Sequence, residues 1–391
     1  MKVAIVLHTD PFEPWPLLRA VREAELLRDQ GKSVTFVAWI KDPRSVQPLR
    51  EIRNEVEVLR IRVPVGRGPV GRIAAYGRAT RQAAEVLARI RPDGIVCHDL
   101  EMLRPSRIAA RRLGSPLLYH AHEDWPAMVS ERSRLEGAIF SALERRWIRD
   151  VAHVYTVGPA LAAKFRRLGK PVTVQFASKA VSGLPRADSD RRARLRSDFG
   201  FAPDDFLVGV AGSLGRDEAL PTIFRALGNL PARLKLFLVG GLPAKVEAAR
   251  ALAAAGGLAD RVRFTGPLEL SRYMELVATL DVGLALFYPT SANIRFVLPL
   301  KLFDYMAMGV PAIVSNFPEM RRVVVDEVGF GLAVDPLRPA EISAAIVGLM
   351  ADEHTRRGMS NRARAAFVQT YSWERERERL VASHALFAPP T

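Results

Sequence analysis

The sequence predicts an α/β fold of two domains in tandem, each a parallel sheet covered by helices on both faces. Three observations carry this. The chain has 391 residues, more than one ordinary α/β core takes up. Short β-branched and aliphatic runs alternate with longer stretches whose apolar residues recur at helical spacing, the pattern of strand–helix–strand units. The alternation then stops over residues 178–198, "SKAVSGLPRADSDRRARLRSD", which is polar and basic, and starts again.

In order, "KVAIVLH" reads as a buried strand. Its apolar run meets His8, Thr9 and Asp10 too soon for a secretory leader. "PLLRAVREAELLRDQG" is a helix that stops at Gly31. "SVTFVAWI" and "VEVLRIRV" are strands, "RIAAYGRATRQAAEVLARIRP" a helix and "DGIVCHD" a strand. "SRIAARRLG" is a helix and "PLLYHAHED" a strand. In "SRLEGAIFSALERRWIRDVA" the residues Leu135, Ile139, Leu143 and Trp147 step by four, so this is an amphipathic helix. "HVYTVG" and "PVTVQFA" close a first domain expected over 1–177. After a connection at 178–198, a second domain is expected over 199–372. Its strands are "DDFLVGVAGSLG", "LKLFLVGG", "VRFTGP", "DVGLALFY", "PAIVSN" and "GFGLAVDP", with helices between them. Ligands of such folds sit at the carboxyl ends of the strands. Two such domains facing each other would border one cleft.

Composition narrows the function. Hydrophobic residues make up 49% and charged residues 25%, as in globular chains. The single cysteine, Cys97, permits no intrachain disulfide, fits a reducing compartment and reads as core. No window approaches the length of a membrane span. Lys plus Arg number 57 against 42 acids, a net +15. Such a surface attracts phosphorylated small molecules or anionic lipid. Nucleic acid is disfavoured, since no basic patch interleaved with aromatic residues is present. "DSD" at 188–190 follows no strand and is not read as a metal site. No Cys/His group has zinc spacing, and no Walker or GxSxG loop occurs.

The segment "FVLPLKLFDYMAMGVPAIVSN", residues 296–316, carries the chemistry. It is nearly all apolar, yet holds Lys301 and Asp304 just after Pro299. Proline suits a first helical turn, and Gly309 suits its end. The amides of Leu300 to Leu302 would then point out of the helix N-terminus and, with Lys301, attract an anion. Asp304 lies on the same face, where a carboxylate can accept from a ribose diol. Phosphate beside lysine and sugar beside aspartate suit a nucleoside diphosphate. The same two residues also suit a plain intrahelical ion pair.

"LPLKLFDYMAMGVPAIVSNFPEM" closely resembles the donor-binding segment of family 4 glycosyltransferases of the GT-B fold, two Rossmann-like domains facing a cleft. "HTDPFEPWPLLRAVREAELLRDQG", "LLYHAHEDWP", "VGVAGSLG", "LFLVGG", "VRFTGP" and "YSWERE" resemble further family segments in the same order, so the resemblance covers essentially the whole chain. It implies a retaining, metal-independent hexosyltransferase that uses a nucleotide-sugar co-substrate and no other cofactor, with a carbohydrate or lipid-linked acceptor. By the resemblance Lys301 and the amides of Leu300 to Leu302 hold the diphosphate, where charge develops on the leaving group. Asp304 takes the ribose position, Gly266 and Pro267 border the base, and His122 is the histidine near the transferring sugar. A C-terminal helix at about 373–391 returns to the first domain. The chain departs from the family at Phe296, where a glutamate often contacts the donor sugar. It departs again at Ser213 and Glu218, where arginine and lysine are common; Arg216 lies between and is the candidate substitute. These departures keep two other readings open, a sugar-nucleotide-binding protein without turnover and a sugar-nucleotide epimerase.

Other candidates come from strand ends. Asp10 follows the first strand, where an acceptor hydroxyl would approach, and is the second catalytic candidate beside His122. His120 shares a strand face with His122, and either imidazole suits proton transfer. Glu123 and Asp124 orient it or cap the next segment; His98 and Asp99 face the cleft or cap a helix. "PFEPWP", with Phe12 and Trp15, is an acceptor pocket or a stiff turn. The arginine-rich stretch 60–78 lies on an anionic membrane surface or is a solvated loop. The expected setting is cytoplasmic, peripheral at the inner face of a membrane, in surface polysaccharide or glycolipid synthesis.

Overall fold

A computed structural model describes residues 1–12, 17–66, 68–176, 179–185, 188–228, 230–291 and 294–387. Trp15 of the proposed acceptor pocket and Arg67 of the basic stretch lie outside the described residues. The chain divides into two units, Met1–Gln175 with Arg377–Thr391, and Phe176–Glu376.

Buried aliphatic runs of unit 1 build an eight-stranded sheet from β1 (Lys2–Leu7), β2 (Ser33–Ile40), β3 (Arg50–Arg53), β4 (Val56–Arg62), β5 (Gly94–His98), β6 (Leu117–Ala121), β7 (His153–Thr156) and β8 (Val172–Val174). The order is β3-β4-β2-β1-β5-β6-β7-β8. All neighbours are parallel except β3 and β4. The sequence reading omitted β3 because "REIR" is short, charged and largely exposed. It turns back onto β4 through Asn54 and Glu55, both at positive φ (52° and 60°), the backbone that tight hairpins require. Also unforeseen is the helix Trp125–Arg132, started by Asp124, whose carboxylate accepts from the Ala127 N–H at 3.3 Å. Gly94 is fixed by packing: a Cβ there would come within 2.3 Å of the Phe387 ring, so the turn Ala385–Phe387 lies against β5.

Unit 2 is a six-stranded sheet of β9 (Phe206–Ala211), β10 (Leu234–Val239), β11 (Val262–Phe264), β12 (Val282–Ala285), β13 (Ala312–Ser315) and β14 (Gly331–Val334), all parallel, in the order β11-β10-β9-β12-β13-β14. Apolar clusters cover both faces, as a fully parallel sheet requires. The segment expected as a connection at 178–198 is not a bare linker in its second half. Ser189–Asp198 is a helix, capped by Asp188 accepting from the amides of Asp190 and Arg191. Buried Arg196 donates to the Thr279 carbonyl at 2.7 Å and to Asp281 at 2.8 Å; Arg192 donates to Asp281 at 2.7 Å. Guanidinium heads, not an apolar stripe, bind this helix to unit 2, so hydrophobic periodicity did not reveal it.

Candidate functional site

In unit 2 the helix Leu300–Met308 forms as read, with Gly309 at φ 67° closing it and Pro299 as its N-cap rather than inside its first turn. Tyr305 fixes its position. Gly283 leaves no Cβ in the way of that ring, whose hydroxyl donates to the Leu284 carbonyl at 3.0 Å and accepts from the Ala211 N–H at 3.1 Å. The helix is thus pinned to β9 and β12 with Lys301 and Asp304 both buried, at 6% and 4% exposure.

Lys301 and Asp304 do not pair with each other. Lys301 Nζ donates to Glu218 Oε1 at 2.7 Å and stands 5.2 Å from the centre of the Phe287 ring. Asp304 accepts from Lys179 at one oxygen and from the Tyr273 hydroxyl at the other, the latter at 2.8 Å. Burial beside the Asp304 charge pushes the Tyr273 hydroxyl well above its ordinary pKa, so it stays a donor. Of the three amides read as an anion cradle, that of Leu302 is already spent, donating to the Pro299 carbonyl at 3.0 Å, and its side chain is core. Leu300 stays largely exposed. Arg216, read as the substitute cation, is exposed and makes no ion pair among the described residues. Gly266 has φ 75°, pairs with Gly240, and accepts at its carbonyl from Thr265 Oγ1 at 2.9 Å; Pro267 beside it is exposed. Phe296 is about half exposed.

Unit 1 assembles a histidine cluster that the strand-end reading only partly foresaw. His122, just past β6, is held at both ring nitrogens. Arg19 Nη1 lies 2.9 Å from its Nδ1 and His98 Nδ1 lies 2.9 Å from its Nε2. A guanidinium only donates, which fixes the tautomers in turn. His122 Nδ1 accepts, its Nε2–H donates to His98 Nδ1, and the His98 Nε2–H faces Glu23 Oε2 at 3.6 Å. His120 stacks on His98 with centroids 4.4 Å apart and brings its Nε2 to 3.0 Å from the same Glu23 oxygen. His384 Nε2 stands 3.0 Å from Glu23 Oε1. Glu23, His98 and His120 lie close enough to hold a cation. The tautomer chain turns the Nε2–H of His98 toward the carboxylate, but 3.6 Å is too long for a hydrogen bond, and Glu23 Oε2, His98 Nε2 and His120 Nε2 are all buried without a hydrogen-bond partner. Burial opposes the charge on Glu23, but His120 and the other imidazoles hold its carboxyl well below the ordinary range. Burial pushes His120 down to about 4 against the pull of Glu23, and pushes His122 down against the pull of Asp99. The cluster therefore sets a buried carboxylate beside the neutral imidazoles of His120 and His122 at pH 7. Asp99, in contact with His8 at 3.1 Å, also stays ionised: burial opposes its charge, but His122, His8 and His98 outweigh it.

Asp10 is not placed for acid–base work. It is buried, accepts from the Phe12 N–H at 2.8 Å and takes Arg60 Nε at 2.5 Å. That arginine is buried too, which removes it from the exposed basic stretch at 60–78. Asp124 caps a helix and pairs with Lys164 at 2.7 Å. Cys97 is core, its thiol pushed up by burial. Sequence reasoning missed Arg19, Glu23, His384 and Lys179. Glu23 had a signal: it occupies a core position, buried with Ala20, Ala24 and Leu27 on one helix face.

Residues 18–176 match the glycosyl transferase 4-like domain, and residues 205–352 match the glycosyl transferases group 1 domain. A D-inositol 3-phosphate glycosyltransferase of Xylanimonas cellulosilytica is 29% identical over 191 residues, 48% of this chain and 44% of its own. A UDP-N-acetylglucosamine–N-acetylmuramyl-(pentapeptide) pyrophosphoryl-undecaprenol N-acetylglucosamine transferase of Xanthomonas euvesicatoria is 29% identical over 229 residues, 58% of this chain and 48% of its own. The chain thus spans about half the length of these curated relatives. Among solved structures, sucrose-phosphate synthase from Thermosynechococcus elongatus superposes with a TM-score of 0.77 at 18% identity, over 98% of both chains. Anabaena Alr3699/HepE in complex with UDP gives 0.75 at 18% identity, over 98% of this chain and 100% of the other. These likenesses show the fold. With the two domain families matched in order along it, the chain belongs to the family 4 glycosyltransferases of the GT-B fold.

Proposed function

We propose that the chain transfers a hexosyl group from a nucleotide-sugar donor to an acceptor hydroxyl, with retention and without a metal. The observation that carries this is the pinned helix Leu300–Met308, which sets a buried cation and a buried carboxylate one turn apart. Lys301 would meet the diphosphate, and Asp304 the ribose diol once Lys179 yields. Gly266 and Pro267 would border the base. UDP in the complex of the structurally similar Alr3699/HepE supports a uridine nucleotide as the first donor to try. In the reaction the acceptor oxygen bonds to the anomeric carbon on the face that the diphosphate leaves. The carbon–oxygen bond to diphosphate breaks, and the acceptor proton passes to a donor phosphate oxygen. The neutral His122, with its Nε2–H committed to His98, suits positioning of the sugar better than proton removal, and the paired Asp10 is not assigned the role of base. The test is calorimetric binding of UDP, GDP, ADP and their glucose conjugates, then sugar release in EDTA. Binding of one nucleotide with slow EDTA-insensitive hydrolysis is expected; no binding by any of them contradicts the reading.

A second reading, nucleotide-sugar binding without turnover, is favoured by the Lys301–Glu218 pair, which neutralises the cation meant for the leaving group. Binding without hydrolysis would select it.

The acceptor we propose is lipid-linked and reached at an anionic membrane surface. Val70 and Ile73 on the helix Gly68–Ile90, and Leu135 and Ile139 on the helix Arg134–Trp147, are largely exposed. Arg72 and Glu136, 3.6 Å apart, link the two helices, Arg78 and Arg134 stand exposed on them, and Arg132 is exposed at the end of the preceding helix, Trp125–Arg132. Apolar side chains among arginines suit a headgroup layer. Of the stripe read on the second helix, Trp147 is core and Leu143 packs half-buried against it, while Leu135 and Ile139 face out; Gly137, seated on Ser130, and Glu144 fill the rest of the inner face. Among the described residues no helix is long and apolar enough to cross a membrane. Pelleting with anionic but not zwitterionic vesicles is expected; equal recovery with both contradicts it.

A further inference from the structure

Glu218 hangs from the loop between β9 and the helix Leu220–Gly228. Its Oε1 receives two donors, Lys301 Nζ at 2.7 Å and the Gly215 N–H at 3.3 Å. Both charged side chains are buried, at 4% and 7% exposure. An ammonium, a loop amide and the open approach left by Gly212, where a Cβ would meet only the Lys301 side chain at 3.7 Å, are what an anion needs. Here the anion is part of the chain.

We propose that Glu218 is a built-in occupant of the phosphate position, competing with the donor's diphosphate for Lys301 and the Gly215 amide and so setting how tightly a nucleotide binds. This rests on Lys301 being the diphosphate cation. Two anions crowded on one ammonium repel each other. The ligand must therefore move the carboxylate aside before it gains the charge-assisted bonds. The carboxylate also keeps Lys301 from standing as an unpaired buried charge when the site holds no nucleotide. The loop has the conformation for such a movable part: Gly212 and Leu214 both sit at positive φ, 105° and 54°, and the leucine backbone there is strained. An acid that returns to the lysine also speeds release of a nucleoside diphosphate product.

The experiment titrates inorganic pyrophosphate and, separately, UDP into wild type and Glu218→Gln in magnesium-free buffer. Pyrophosphate is expected to bind the variant about tenfold more tightly, the order of one charge-assisted contact. Equal or weaker binding by the variant, or none, overturns the proposal. So does tighter wild-type binding on adding Mg2+ that the variant loses, which would make Glu218 a metal ligand. Should UDP bind neither protein while pyrophosphate prefers the variant, the nucleotide-sugar reading falls, and what stands is the competition of Glu218 with a diphosphate for Lys301. A measurement on wild type guards against a variant that does not fold. At saturating pyrophosphate the Gly215 amide resonance is expected to shift as the carboxylate leaves it, and an unmoved resonance overturns the proposal.

Discussion

The histidine cluster of unit 1 and the helix Leu300–Met308 of unit 2 bury charge in opposite ways, although unit 1 also holds the buried Asp10–Arg60 ion pair. Unit 1 keeps a carboxylate, Glu23, within 3.6 Å of three imidazole nitrogens, with burial holding His120 neutral. Unit 2 keeps full charges and cancels them one to one, Lys301 with Glu218 and Asp304 with Lys179. The first arrangement is sensitive to protons, because each imidazole must stay neutral for the tautomer chain to hold. The second is sensitive to competing ions, because a ligand of either sign can replace a partner. A site meant to exchange an anionic ligand suits the second design.

That contrast can be broken at several points. Glu23→Ala should be the most damaging, since it leaves His98, His120 and His384 facing an empty space without their acceptor. A loss of about 3 kcal/mol is expected in denaturant unfolding; a loss below about 1 kcal/mol would mean the cluster is not held by its carboxylate. Acid comes next. Between its unfolded pKa of 6.5 and its folded value of about 4, His120 binds a proton only when unfolded. Its contribution is full above pH 6.5 and is lost as pH falls toward 4, roughly 3 kcal/mol in all. The depressed carboxyls of Glu23 and Asp99 extend the loss to lower pH, with the same sign. Stability measured from pH 7 to 4 should fall, and His120→Phe should flatten the slope; an unchanged slope would contradict the assignment. Tyr305→Phe leaves the Ala211 N–H without its acceptor and should cost about 2 kcal/mol. It should also weaken nucleotide binding, since Lys301 and Asp304 ride on that helix. Last is Lys179→Ala, which leaves one oxygen of the buried Asp304 carboxylate without its cation while Tyr273 keeps the other. A loss of about 2 kcal/mol is expected in stability, less than for a fully buried pair because Lys179 is partly exposed, with nucleotide affinity kept or improved; a marked loss of affinity would make Lys179 a ligand group.

The parallel sheets and the helix Leu300–Met308 were legible because their apolar periodicity is strong and Gly309 marks a stop. The helix Ser189–Asp198 was not, because arginine–carbonyl bonds hold it and these leave no period in the sequence. The strand Arg50–Arg53 was hidden by its charge, and its turn by using Asn-Glu where glycine would have signalled positive φ. At the site, residue types announced Lys301, Asp304 and His122, but not their partners. Glu218 was read as a missing cation, and only the fold brings its carboxylate to Lys301 from 83 residues away. Asp10 was read at the end of the first strand; it lies three residues past β1, and its pairing with Arg60 depends on the register of β1 with β2 and of β2 with β4.

The most direct measurement is calorimetric binding of UDP and UDP-glucose to wild type and Lys301→Gln. Saturable binding by wild type, weakened about a hundredfold in the variant, is the predicted result. Equal binding by both proteins, or none by wild type, would contradict the assignment of the helix Leu300–Met308 to a nucleotide-sugar donor.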